Sequence, residues 1–120
     1  MKRAELLIIV AERYGVQPEY LWARWPNYAA LRHAGNRKWF GVLMDVPARR
    51  LGLSEAGADE TVDILNVKVA PDDVIVLQLA DSIMPAYHMN KQNWISIAIE
   101  GDIPDEFVLD LLETSHRLTA

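Results

Sequence analysis

Apolar residues return at every second position in three stretches of this chain, and a period of two marks β-strands rather than helices. In residues 37–46, Phe40, Val42, Met44 and Val46 alternate with Trp39, Gly41, Leu43 and Asp45. Both sets are fairly apolar, so this strand is expected to be central or to lie under a helix. In residues 61–69, Leu65, Val67 and Val69 share one side while Asn66 and Lys68 take the other. In residues 94–100, Ile95, Ile97 and Ile99 form one face. Residues 27–34 pair with 37–46 as a hairpin, for which Gly35-Asn36 is a two-residue connection of the kind that tolerates positive φ.

Helical patterns flank these strands. Residues 1–14 place Leu6, Val10, Arg13 and Tyr14 on one side with Leu7 beside them, and Gly15 suits the left-handed position that ends a helix. Pro104-Asp105-Glu106 opens the last helix, with proline preset for the first turn and acids facing the positive end of the helix dipole. Its core stripe reads Phe107, Val108, Leu111, Leu112, Ser115 and Leu118. Pro71-Asp72-Asp73 opens a short helix by the same rule, burying Val74, Leu77 and Ile75. Residues 47–59 form a connection rich in Gly, Ala and charge, with the basic pair Arg49-Arg50. This order predicts an α+β two-layer sandwich, an antiparallel β-sheet with N- and C-terminal helices packed on one face. The length of 120 residues fits one domain over residues 1–120.

Composition narrows function mainly by exclusion. With no cysteine there is no disulfide scaffold, thiol nucleophile or thiolate metal site. The run Leu6 to Ala11 is bracketed by Glu5 and Glu12-Arg13, too short for a secretory signal, and no stretch reaches the roughly 20 apolar residues of a membrane span. A cytoplasmic location without membrane association is expected. His33, His88 and His116 have no metal-ligand spacing, and the acidic pairs Asp72-Asp73 and Asp105-Glu106 are accounted for by helix starts. The serines lack a nucleophile-elbow setting and the glycines never assemble a phosphate loop. A non-enzymatic protein with no cofactor and no metal is the resulting expectation. The net charge of −5 argues against indiscriminate coating of nucleic acid or anionic lipid, while leaving room for a local basic patch.

The segment from Pro85 to Trp94 is where polar groups concentrate. It holds Tyr87, His88, Asn90, Lys91, Asn93 and Trp94 directly before an apolar strand, and reads as a packed loop that presents donors outward. With Lys68 on the polar side of its strand, and Arg37 and Lys38 at the hairpin tip, His88, Asn90, Lys91 and Trp94 form a candidate nucleic-acid-binding set. Cations would hold phosphates, and amide, imidazole and indole would contact base edges or stack. A second reading uses Tyr20, Trp22, Trp25 and Tyr87 as an exposed aromatic surface for a protein or small ligand, although the aromatics of residues 18–26 also suit lids over the core edge. A third makes the loop structural, with His88, Asn90 and Lys91 capping helix ends and satisfying buried carbonyls.

Particular motifs also resemble a known family. Leu65-Asn66-Val67-Lys68 with Pro71, then Tyr87-His88-Met89-Asn90-Lys91 with Trp94, then Gly101-Asp102-Ile103-Pro104-Asp105 with Ser115, Leu118 and Thr119, resemble the signatures of the MmcQ/YjbR family in the same order. Trp39-Phe40 matches its aromatic strand less specifically. Asn93 stands where the family often has histidine, Ala86 where it commonly has glycine, and His116 where it commonly has tyrosine. The resemblance implies a CyaY (frataxin-like) fold and binding of double-stranded DNA through a double-wing arrangement, carried onto Arg37, Lys38, Lys68, His88, Asn90, Lys91 and Trp94. The iron handling of frataxins is not carried over, because the first helix lacks an acidic ridge.

Overall fold

The computed structural model describes residues 1–53 and 60–120. Helix α1 (Arg3–Tyr14) is followed by strands β1 (Ala29–Arg32), β2 (Trp39–Pro47) and β3 (Thr61–Lys68). The short helix α2 (Val74–Leu77), strands β4 (Ile83–Pro85) and β5 (Trp94–Ala98), and helix α3 (Asp105–Thr119) complete the order. The strands form one antiparallel sheet in the order β1-β2-β3-β5-β4. The predicted α+β sandwich is therefore the observed one. The connection read over 47–59 is a 3₁₀ turn at Ala48–Leu51, and its part from 54 to 59 lies outside the described residues.

Both terminal helices cover one face. Leu6 and Val10 of α1 and Val108, Leu111 and Leu112 of α3 join Leu31, Leu43, Leu65, Val67, Ile95, Ile97 and Ile99 in one buried cluster. A close approach of α3 requires Gly41: a Cβ there would stand 3.0 Å from Leu31 Cδ1 and 3.4 Å from Leu112 Cδ1. Ser115 of α3 accepts a hydrogen bond from the Lys68 amide (2.8 Å) and donates one to the Phe40 carbonyl (2.7 Å). Its hydroxyl thus bridges β2 and β3 just beyond their last pair, Val42 and Asn66.

Several expectations are corrected. The hairpin connection is longer than Gly35-Asn36: His33 and Lys38 close it, and Arg37 rather than a glycine takes the left-handed conformation, with φ 62°. Phe40 does not share a side with Val42 and Met44. Leu31 pairs with Gly41 but Arg32 with Trp39, so Phe40 is the extra residue of a β-bulge and turns under the helices. The same bulge sends Trp39 to the opposite face. Ile75 is 79 % exposed, because a single turn of α2 is too short to bury three residues, and Phe107 and Leu118 of α3 lie outside its buried stripe, with Thr119 inside it. Strand β4 was not among the strands expected.

The sheet edges are short. Along its outer side β1 is met at one place by the preceding loop, where Glu19 and Ala30 exchange both amide–carbonyl bonds at 2.9 Å. At the other edge β4 has three residues and ends on Pro85.

Candidate functional site

The sheet face away from the terminal helices is also apolar, and loops rather than helices close it. Tyr28, Val42, Met44, Val46, Ile64, Met84 and Ala98 form a second buried cluster, with Trp22, Trp39, Tyr87 and Met89 packed against it. Closure by loops is incomplete. A cavity of about 310 Å³ opens between Trp22, Trp25, Tyr28, Trp39, Val42, Met44, His88 and Met89. Trp22 meets Trp39 edge to face at 5.5 Å, and Trp25 stacks on Tyr28 at 5.6 Å. Trp25 remains 43 % exposed. The Arg24 guanidinium lies over the Trp25 ring at 5.2 Å.

A second cavity of about 300 Å³ adjoins it at His88, which lines both. Its walls are Arg50, Leu51, Met84, Pro85, Ala86, Tyr87 and Lys91. Arg50 Nη1 donates to the Tyr87 hydroxyl at 3.5 Å. The Tyr28 phenol, in the wall of the first cavity, is pushed up in pKa by burial first and by Tyr87 and Asp45 next, and so stays neutral at physiological pH.

A buried polar row holds the loop over the sheet. Val42, Asn66, Ser96 and Met84 are successive cross-strand partners. The fully buried Asn66 donates its amide to the Tyr87 carbonyl (2.9 Å), Ser96 donates its hydroxyl to Asn66 Oδ1 (2.5 Å), and the Tyr87 amide donates to Ser96 Oγ (2.9 Å). Buried amides need such partners. The next residue, His88, is left-handed at φ 58°, an uncommon state for a residue with a Cβ. Pinned at Tyr87 and turned at His88, the chain hangs the His88 and Met89 side chains over the cavities.

The residues singled out in the sequence separate into groups. Asn90 is used by its own loop: its side chain accepts the Gln92 amide (2.8 Å) and its carbonyl the Trp94 amide (3.0 Å). Asn93 accepts the Val69 amide at 2.8 Å. Trp94 is half-buried opposite Lys68, at the start of β5. His88 and Lys91 are exposed, and among the described residues their side chains make no hydrogen bond or ion pair. Arg37 and Lys38 stand at the same end of the sheet, but two strands and about 10 Å away from β5 by strand spacing. Arg37 is paired with Glu19 at 2.7 and 2.9 Å. Trp22 and Trp25 are cavity walls as well as lids, while Tyr20 is exposed and lines neither cavity. Tyr28, Trp39, Met44, Met89 and Arg50 were missed. The available signal was that both faces of residues 37–46 are apolar, which demands cover on the face that the two terminal helices leave open.

At the hairpin tip, His33 and His116 rings lie 4.2 Å apart, and His116 stacks on Tyr14 at 4.3 Å and meets Phe40 edge-on. His33 Nε2 and the Thr119 hydroxyl are 2.8 Å apart. Burial, and then the charge of His33, hold the His116 pKa below its ordinary value.

These features define a class: an antiparallel sheet with two helices on one face and a loop-closed aromatic groove on the other. The chain belongs to the YjbR family, whose sequence model matches residues 11–118. It is 41 % identical over 119 residues to the uncharacterised protein YyaQ of Bacillus subtilis, covering 99 % of this chain and 98 % of that one. A crystal structure of a Pseudomonas syringae protein superposes with a TM-score of 0.94 at 36 % identity over the full length of both chains. A Deinococcus radiodurans protein shares the fold, with a TM-score of 0.72 at 20 % identity, over 98 % of this chain and 78 % of its own. Among the described residues no helix is long and apolar enough to cross a membrane.

Proposed function

We propose that this chain is a non-enzymatic binding module that takes a small apolar ligand in the groove on the helix-free face of the sheet. The observation that carries this reading is the 310 Å³ cavity walled by Trp22, Trp25 and Trp39. An apolar cavity of about 150 Å³ admits benzene, so this one has room for a ligand of two fused rings. Aromatic walls of this kind bind through contact area at little entropic cost, because each indole has only two torsions to fix. The test is a titration with naphthalenemethanol followed by tryptophan emission. Saturable quenching is expected, weakened about tenfold or more in Trp25→Ala, a loss of about 1.4 kcal/mol, with the thermal midpoint nearly unchanged. No saturable quenching in the wild type would sink the reading.

Nucleic acid is the second reading, favoured by the exposed Lys91 and His88 near an aromatic sheet face and by Lys68 opposite Trp94. Aromatic platforms beside cations are what stacked bases and phosphates require. The acidic balance of the chain and the engagement of Arg37 by Glu19 restrict any such surface to a local one. Anisotropy of labelled duplex and single-stranded DNA across a salt series tests it. Binding that weakens steeply with salt and vanishes in Lys68→Glu/Lys91→Glu supports this reading, and absence of binding at low salt excludes it.

A further inference from the structure

We infer that the two adjoining cavities are one bipartite site, and that its ligand is a small aromatic anion. The ring system would occupy the tryptophan half, and a single carboxylate or phosphate would be held by Arg50 and Lys91 beside His88. This rests on the groove being a ligand site and adds what kind of ligand it takes.

The chemistry of the two halves differs in the way such a ligand needs. The first cavity is walled by indoles, a phenol and the thioethers of Met44 and Met89, groups that reward a flat apolar surface. The described residues lining the second bring Arg50, Lys91 and His88 and no carboxylate. In a molecule with a net charge of −5, two cations converging on one concavity make a local field opposite to that of the whole. Arg50 is steered there by the Tyr87 hydroxyl, and Tyr87 is itself fixed through its backbone by Asn66 and Ser96. A guanidinium offers a planar fork matched to carboxylate or phosphate oxygens. His88 stands where the halves meet, and its left-handed backbone is the strained point that sets its ring at the junction.

Calorimetry with three probes of one ring system separates the halves: naphthalenemethanol, naphthoate and naphthyl phosphate. Wild-type protein should bind at least one anion about fivefold or more tightly than the neutral alcohol, since a charge-assisted contact at an exposed rim is modest. Added salt should erode that advantage without weakening the alcohol. Whichever anion leads identifies the headgroup. In Arg50→Ala/Lys91→Ala, both exposed positions, the advantage should fall below twofold while the alcohol binds as before. Equal affinity for all three probes in the wild type, or an advantage that survives the double variant, overturns the aromatic-anion assignment and leaves the apolar groove standing. If an oligothymidylate binds more tightly than every probe, the occupant is a nucleic-acid strand and the small-molecule assignment is wrong. Failure of all three probes to bind removes the groove as a ligand site, and this inference with it.

Discussion

The two faces of this sheet are built from similar residues yet closed in different ways. Under the helices, Leu6, Val10, Leu111 and Leu112 interdigitate with the strands, as amphipathic stripes allow. On the other face, separate loops bring Trp22, Trp25, Tyr87 and Met89 over Val42 and Met44, and each loop ends where its own hydrogen bonds dictate. Large rigid rings held by loops cover area without filling volume. The difference teaches that a sheet apolar on both faces can be packed tightly on one side and left with open space on the other.

That contrast can be broken most directly at Phe40. Phe40→Ala should cost about 3–5 kcal/mol in urea unfolding, since the ring is fully buried under α3, whereas Trp25→Ala should leave the urea midpoint almost in place and act on ligand quenching. An equal cost at both positions would erase the distinction between faces. Next is the clamp: Asn66→Ala leaves the Tyr87 carbonyl unpaired and should cost about 1–3 kcal/mol, with faster amide exchange at Tyr87 as the local readout. A smaller effect depends on pH. Because the His116 pKa is lowered in the fold, the unfolded chain binds a proton more readily. This group's contribution to stability is then whole above the unfolded value of about 6.5 and declines as pH falls from there through the lowered folded value. His116→Phe, which keeps an aromatic ring against Tyr14 and Phe40, should flatten that slope in thermal melts at pH 5 to 7. Smallest is Arg37→Ala, expected to change stability by less than about 1 kcal/mol, because its ion pair with Glu19 is exposed.

How much of this was legible depends on how local each cause is. Leu65, Val67 and Val69 against Asn66 and Lys68 could be read from alternation, and the last helix from Pro104-Asp105-Glu106, because those signals lie within one segment. Phe40 could not, since a bulge is defined by the partner strand and its residue is counted only once β1 is laid beside β2. Strand β4 has three residues, below what a period can reveal, and Ile75 sits on a helix too short to have a buried side. In the site, His88 and Lys91 were legible as groups a loop presents, and Trp22 and Trp25 as more aromatic surface than a plain loop needs. Asn90 resembled them in chemistry, but its carbonyl and amide oxygens are consumed by the turn it makes. Trp39 and Arg50 join the groove only through tertiary structure, one by the bulge and the other through Tyr87.

The brevity of the outer strands bears on how such a chain lives at high concentration. A surface carrying partly exposed indoles invites self-association, and the most persistent form of it adds strand to strand along an open edge. Here a neighbouring molecule would find one edge already touched by the Glu19 backbone and the other reduced to three residues closing on a proline that has no amide to give. The protein can therefore keep sticky rings in the open while denying a second copy the backbone ladder on which aggregation would grow.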